Sequence, residues 1–384
     1  MKIGILTLPF NVNYGGILQA YALQTYLKSL GHTVVFINRV HGRPGLLVIF
    51  KRFLSLAKCL CRKYLLRDNN VIISNPFGVG YVTKEYNDLD WSKVTKFVQE
   101  NLVLTHPIDS TRKLKTYIKT TDLDCVLVGS DQVWRDCYVP NIYNYFLDFV
   151  PDNLKIKKVS YAASFGVYDV PIPCWKLRKC RRLASRLDAI SVREDAAVEY
   201  LYRTFGLIPQ KIIDPTLLLT TSDYEEFVSE PINNEKRYIA AYILNMTQEK
   251  ATIIDTIRTY LDMDVQILST EPDYSKSDYA LSLEEWLTAI SHSSFVITDS
   301  YHGSIFAIQF KKQFVALSNN LRGNERFLSL FESLGLQCRL FASDVQPKLI
   351  IDEIEKVSIN YIHIEQTISM ERLKALEYLS KALK

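Results

Sequence analysis

Five places in this sequence set side chains able to exchange protons or hold anions directly after an apolar run. In Val128-Gly129-Ser130-Asp131-Gln132-Val133-Trp134, Asp131 can exchange a proton or hold a sugar hydroxyl, or it can simply cap a helix. Trp134 can stack on a sugar ring or belong to the core, and Ser130 and Gln132 are polar groups that a bland loop does not need. In Thr298-Asp299-Ser300-Tyr301-His302-Gly303, His302 stands at a strand end beside a glycine, and imidazole exchanges protons near neutral pH. Asp299 or Ser300 can cap the helix that follows. Arg193 ends the run Ile190-Ser191-Val192-Arg193-Glu194-Asp195; its planar fork suits a carboxylate or phosphate, unless Glu194 or Asp195 takes it. The glycines of Asn11-Val12-Asn13-Tyr14-Gly15-Gly16 let the backbone approach a ligand, and a helix N-terminus there offers free N–H groups to an anion; a plain tight turn is the other reading. Arg322, Asn324 and Arg326 follow one more apolar run and can also meet an anion. The remaining histidines, His32, His41, His106, His292 and His363, read as loop or surface residues.

The elements that must position these groups are legible as alternating strand and helix patterns. Strands are expected at 3–8, 33–38, 124–128, 157–163, 188–192, 211–214, 238–244, 264–268, 294–298 and 313–317, with a helix at 16–30 and helical patterns between most later strands. Such alternation argues for parallel sheets covered on both faces, and near-continuous apolar strands such as Cys125-Val126-Leu127-Val128 agree. A polar stretch, Thr220–Arg237, separates two alternating series. The expected organisation is therefore a Rossmann-like domain over 1–219 with a basic insertion at 42–67, a second over 220–362, and a terminal helix in 363–384. That helix places Leu373, Leu376, Leu379 and Leu383 on one stripe. Ligands of doubly wound sheets sit at the C-terminal strand ends, so the site should lie in the cleft between the two domains.

Composition narrows the function classes. The chain has 384 residues, a net charge of +4, 48% hydrophobic and 23% charged residues. These are the values of an ordinary globular protein and exclude disorder, collagen and a disulfide-stapled mini-protein. No apolar run approaches the roughly 20 residues of a spanning helix, and the first residues are too short for a secretory leader. Seven cysteines at irregular spacing support neither zinc nor a disulfide framework and read as small buried hydrophobes in a reducing cytoplasm. There is no GxGxxG and no Walker loop. Charge is concentrated in 42–67, where Lys51, Arg52, Lys58, Arg62, Lys63 and Arg67 accompany apolar residues and no acid. That segment suits the surface of an anionic membrane or a packed helix with a solvated face. No nucleic-acid partner is indicated.

Taken together, the motifs resemble the polysaccharide pyruvyl transferase family. They are Asn13-Tyr14-Gly15-Gly16-Ile17-Leu18-Gln19-Ala20-Tyr21-Ala22-Leu23, Gly129–Trp134, Ser160-Tyr161-Ala162-Ala163-Ser164-Phe165-Gly166, Ser191–Asp195 and Thr298–Gly303, in family order over about 3–330. The resemblance implies a fold like that of two-domain GT-B glycosyltransferases, with the terminal helix crossing back to the first domain. It implies transfer of the enolpyruvyl group of phosphoenolpyruvate onto two hydroxyls of a sugar, giving a pyruvate ketal and phosphate, with no metal or other cofactor. Arg193 would hold phosphoenolpyruvate together with Asn13, Gly15, Gly16, Ser300 and Tyr301. Asp131 and His302 would share the acid and base tasks, and Ser130, Gln132, Trp134, Asn11 and Tyr14 would face the acceptor. Where the family carries an arginine two residues before the histidine, this chain has Ser300, so Arg322 or Arg326 is expected to supply that charge. The acceptor would be a sugar or lipid-linked oligosaccharide, and the setting cytoplasmic, with peripheral membrane contact through 42–67. Two other readings fit the same scaffold: a glycosyltransferase using a nucleotide sugar, and a non-catalytic glycan-binding or assembly protein.

Overall fold

A computed structural model of the chain describes residues 1–10, 13–42, 90–167, 171–230, 237–268, 280–319 and 322–384. Asn11, residues 43–67 of the basic segment and residues 231–236 of the polar boundary lie outside the described residues. Among those described, two parallel sheets carry the architecture, and every pairing between named strands is parallel. The first has the order β2-β1-β3-β4-β5-β6, from β1 (Lys2–Leu6), β2 (Thr33–Phe36), β3 (Cys125–Asp131), β4 (Lys157–Ala163), β5 (Ser191–Val192) and β6 (Gln210–Lys211). The second has the order β11-β10-β9-β7-β8, from β7 (Tyr238–Tyr242), β8 (Asp264–Ile267), β9 (Phe295–Thr298), β10 (Gln313–Leu317) and β11 (Leu340–Phe341). The α/β alternation read from the sequence is therefore the fold.

In the first half the helices are α1 (Tyr14–Ser29), α2 (Ser92–Asn101), α3 (Thr111–Thr120), α4 (Cys174–Ala184), α5 (Asp195–Tyr200) and α6 (Ser222–Glu225). In the second they are α7 (Gln248–Leu261), α8 (Leu283–His292), α9 (Tyr301–Gln309), α10 (Glu325–Leu334), α11 (Pro347–Lys356) and α12 (Tyr361–Ala382). Strand order reverses between β1 and β3 in one sheet and between β7 and β9 in the other. At such switch points the loops leaving adjacent strands diverge and open a crevice. The loops concerned are those ending in Gly15, Asp131 and His302.

One core cluster runs through both halves. Tyr14 of α1 stacks on Trp286 of α8, with ring centroids 5.6 Å apart, and Tyr21 packs edge-on against Phe227. Helix α12 closes this cluster. It begins where the Tyr361 hydroxyl donates to the Lys312 carbonyl and ends where the Tyr378 hydroxyl donates to Ser160 O at 2.6 Å. Between them Arg372 donates to the carbonyls of Leu217 and Leu219. The buried face of α12 is Ile364, Ile368, Ala375, Tyr378, Leu379 and Ala382. The leucine stripe holds at Leu379 and Leu383, which are buried, and in part at half-buried Leu376; it fails at Leu373, 63% exposed, where Ala375 and Tyr378 face the core instead.

The cysteine expectation also needs correction. Cys125 and Cys180 are buried, but Cys137 and Cys174 are exposed; all described cysteines are free. Among the described residues no helix is long and apolar enough to cross a membrane, and no group of His, Cys, Asp or Glu is placed to hold a metal ion.

Candidate active site at the domain junction

Strand β3 delivers Asp131 through a tight backbone. Gly129 has φ +127°, and a Cβ there would fall on the Tyr161 carbonyl of the neighbouring strand, so only glycine fits. Asp131 itself is left-handed, φ 69°, a conformation that Asp tolerates better than most residues. Its main-chain oxygen accepts from Ser164 N at 3.0 Å, and its carboxylate meets Arg193. The Arg193 Nη2 donates to Asp131 Oδ1 at 3.0 Å, and Nη1 is bonded to Asp214 Oδ2. All three side chains are almost fully buried.

Asp214 was not among the residues the sequence singled out. It caps a short helical turn, Pro215–Leu217, accepting from Thr216 N at 3.0 Å and from Thr216 Oγ1 at 2.6 Å. Its other oxygen faces both Arg193 and, at 3.7 Å, the Nε2 of His302. The signal was present: Asp214 is the last residue of the expected strand 211–214, and Asp131 stands just beyond the expected strand 124–128. The alternative in which Glu194 or Asp195 takes Arg193 is met only marginally, by Glu194, and the fork is occupied by Asp131 and Asp214 instead. Glu194 Oε2 is 4.0 Å from Arg193 Nε, and Glu194 Oε1 instead accepts from Ser164 Oγ and the N–H groups of Phe165 and Gly166. Asp195 pairs with Lys211 and Ser329.

The second domain contributes Tyr301, His302 and Arg326. Ser300 is the N-cap of α9, its hydroxyl accepting from Gly303 N. This places Tyr301 and His302 in the first turn. The Tyr301 ring lies under two guanidiniums, 4.7 Å from Arg193 and 5.2 Å from Arg326. His302 rests against Gly15 in the first turn of α1, so closely that a Cβ on Gly15 would lie 2.5 Å from His302 Cβ. Arg326 is 6% exposed; its Nη1 is 3.7 Å from Asp131 Oδ1 and its Nη2 donates to Arg322 O at 3.2 Å. The buried nitrogens His302 Nε2, Arg326 Nε and Arg193 Nε have no hydrogen-bond partner among the described residues.

Charge in this cluster is mutually stabilised. Burial alone would raise the carboxyls of Asp131 and Asp214, but Arg193 beside both outweighs it and holds them below the usual carboxylate range. Burial would weaken the Arg193 cation, yet Asp214 and Asp131 keep it charged more firmly than in water. Arg326 is pushed the other way, by burial and then by repulsion from Arg193. Arg193 is thus largely neutralised by its carboxylates, whereas Arg326 is the less compensated cation. Burial, then Asp214, raises the Tyr301 phenol, which stays neutral.

Several candidates are placed elsewhere. Trp134 is fully buried, stacked on Phe146 at 5.1 Å, with its indole N–H donated to Tyr145 O, so it is core and presents no face to a sugar. Tyr14 is likewise buried, its hydroxyl donating to Leu281 O. Gln132 accepts from Arg135, and Ser130 donates to Ala162 O. Asp299 is saturated by Leu244 N, Asn245 N, Asn319 Nδ2 and Lys250 Nζ. Arg322 reaches Asn245 through Nε at 3.2 Å. Asn13, the exposed N-cap of α1, accepts from Gly16 N. The structure therefore brings together Gly15, Asp131, Arg193, Asp214, Tyr301, His302 and Arg326.

Among solved structures the chain is similar to UDP-GlcNAc 2-epimerase from Neisseria meningitidis bound to UDP-GlcNAc (13% identity, TM-score 0.51, 99% of this chain and 100% of that one). It is similar also to the enzymes from Methanocaldococcus jannaschii (12%, 0.53, 98% and 100%) and Rickettsia bellii (10%, 0.53, 100% and 97%). At these identities the likeness is one of fold, and that fold is GT-B. No curated protein matches the sequence. A family model described as polysaccharide pyruvyl transferase matches residues 13–320, a span that begins at the cap of α1 and takes in Asp131, Arg193, Asp214 and His302. The chain belongs to the polysaccharide pyruvyl transferase family.

Proposed function

We propose that the protein transfers the enolpyruvyl group of phosphoenolpyruvate onto two hydroxyls of one sugar in a polysaccharide precursor, forming a cyclic pyruvate ketal and releasing phosphate. Family membership supports the transfer in general. The observation that carries the specific reading is that Arg326 and His302, each with a buried nitrogen that has no hydrogen-bond partner among the described residues, each lie 3.7 Å from one of the two carboxylates that hold Arg193, with His302 in the first turn of α9 and against that of α1. A small polyanion is stabilised by converging guanidinium and helix N–H groups. Arg326 stands in for the arginine that Ser300 replaces.

The chemistry needs a proton delivered to the methylene carbon and a hydroxyl oxygen bonded to the neighbouring carbon. The C–O bond to phosphate then breaks, the second hydroxyl oxygen bonds to the same carbon, and both hydroxyl protons leave. One of them departs on phosphate. Asp131 and Asp214 remain ionised and serve as counter-ions that hold Arg193. That disfavours Asp131 as an acid at neutral pH and leaves His302 as the proton carrier across the junction.

Phosphate release from phosphoenolpyruvate over a panel of lipid-linked or aryl sugars tests the reading. His302→Ala should abolish release while the folded protein survives. Stabilisation by a nucleotide sugar, with none by phosphoenolpyruvate, would overturn it in favour of a glycosyltransferase.

A further inference from the structure

Helix α4 lies on the outside of the first domain, away from the junction. Its sequence, Cys174-Trp175-Lys176-Leu177-Arg178-Lys179-Cys180-Arg181-Arg182-Leu183-Ala184, holds five cations and no acid. Cys180, Leu183 and Ala184 anchor it on the core. The cations divide into two groups. The lysines on its flank are satisfied: Lys176 pairs with Asp136 at 2.7 Å, and Lys179 lies 3.9 Å from Asp148 and over the Tyr143 ring. The outward residues Arg178, Arg181 and Arg182 are exposed and have no ion pair among the described residues.

Apolar tips flank these three arginines. Trp175, in the first turn, is 77% exposed. At the other side Arg181 Nη2 comes within 3.7 Å of where a Gly206 Cβ would stand, and two residues on Ile208 is 84% exposed. An exposed tryptophan and isoleucine on either side of unpaired arginines do not form the contiguous apolar patch of a protein interface, whose centre is depleted of charge. They match a lipid surface, where indole sits at headgroup depth, aliphatic tips enter the acyl boundary, and arginines reach phosphates.

We propose that this face of α4, with Trp175, Arg178, Arg181, Arg182 and Ile208, docks the enzyme on an anionic phospholipid surface. The contact is independent of the basic segment 42–67 and of the catalytic reading, because none of these side chains belongs to the junction. It would hold the protein where lipid-borne substrates are presented.

Co-sedimentation of the full chain with phosphatidylcholine vesicles, with and without phosphatidylglycerol, tests the proposal. The parent chain is expected to bind the anionic vesicles and to release as salt rises. The triple variant Arg178→Gln, Arg181→Gln, Arg182→Gln should bind roughly a hundredfold more weakly, from the contribution of each arginine near an anionic surface. Trp134 and Trp286 are fully buried and Trp91 is half-buried, so the exposed indole emission comes chiefly from Trp175. That emission should shift to the blue on vesicles, and the shift should vanish in Trp175→Ala. Melting temperatures of all variants should match the parent. Absence of vesicle binding, undiminished binding of the triple variant, or binding to heparin without binding to vesicles would each overturn the proposal.

Discussion

Replacing Gly15 with alanine adds one methyl group where the two domains meet. Gly15 is the second residue of α1, and within a helix alanine is favoured over glycine by up to about 1 kcal/mol. The helix itself is therefore not at risk. The new Cβ would stand 2.5 Å from His302 Cβ and nearer still to the ring, whereas ordinary contact begins at 3.4 Å. The histidine must retreat by at least 0.9 Å, the difference between those two distances. A misplacement of about 1 Å costs on the order of 100-fold in rate, or ~2.7 kcal/mol of barrier. Phosphate release from phosphoenolpyruvate, measured at saturating acceptor alongside a melting curve, reads both quantities. The expected outcome is a turnover about two orders of magnitude lower, with the melting temperature reduced by an overpacking cost of about 1–3 kcal/mol. Near-parental turnover would refute the reasoning, since it would mean that the contact of His302 with Gly15 has no part in the chemistry.

Asp214→Asn keeps a side-chain oxygen for Thr216 but leaves Arg193 short of a counter-ion in a buried place. Urea denaturation should show a loss of about 3–5 kcal/mol, and turnover at a permissive temperature should fall with it; a neutral effect on both would remove Asp214 from the site. Arg326→Gln should weaken phosphoenolpyruvate binding at least about tenfold, ~1.4 kcal/mol, in a thermal-shift titration, whereas a change there that moves only acceptor KM would place Arg326 on the wrong substrate. Trp134→Ala should cost about 3–5 kcal/mol of stability with acceptor KM unaltered in the folded protein, because the ring is core. Asp131 and Asp214 have folded-state values below the unfolded value of about 4. Their stabilisation is therefore complete above that value and is lost as pH falls through the folded ones. Melting temperature should hold from pH 7 to about 5 and drop below about 4; a drop confined to the neutral range would contradict the assignment.

The alternation of apolar runs and helix patterns was readable because parallel strands are buried on both faces. Strands 157–163 and 313–317 were placed at both ends without error. Strand β3 extends three residues beyond expectation because Gly129, Ser130 and Asp131 look like turn residues, yet Gly129 and Asp131 still pair with β4. The two-residue strand β11 offers too short a pattern to notice. Strand ends drew attention to Asp131, Arg193 and His302, which the structure brings together. The partners of Arg193 were not legible, since they lie 62 and 21 residues away while successive side chains on extended backbone point to opposite faces. Trp134 lies in the turn after β3, where no periodicity says that the indole enters the core.

Helix α12 has a consequence for the order in which this protein can be made. Its last turns fill the core beneath α1 and β4, and Tyr378 reaches a carbonyl 218 residues upstream. The first domain therefore leaves the ribosome before a part of its own interior exists. Its apolar surface around Ser160 and Tyr161 waits, uncovered, until α12 is made. That surface stays exposed while the residues in between are synthesised, and a chain stopped short of α12 would never cover it.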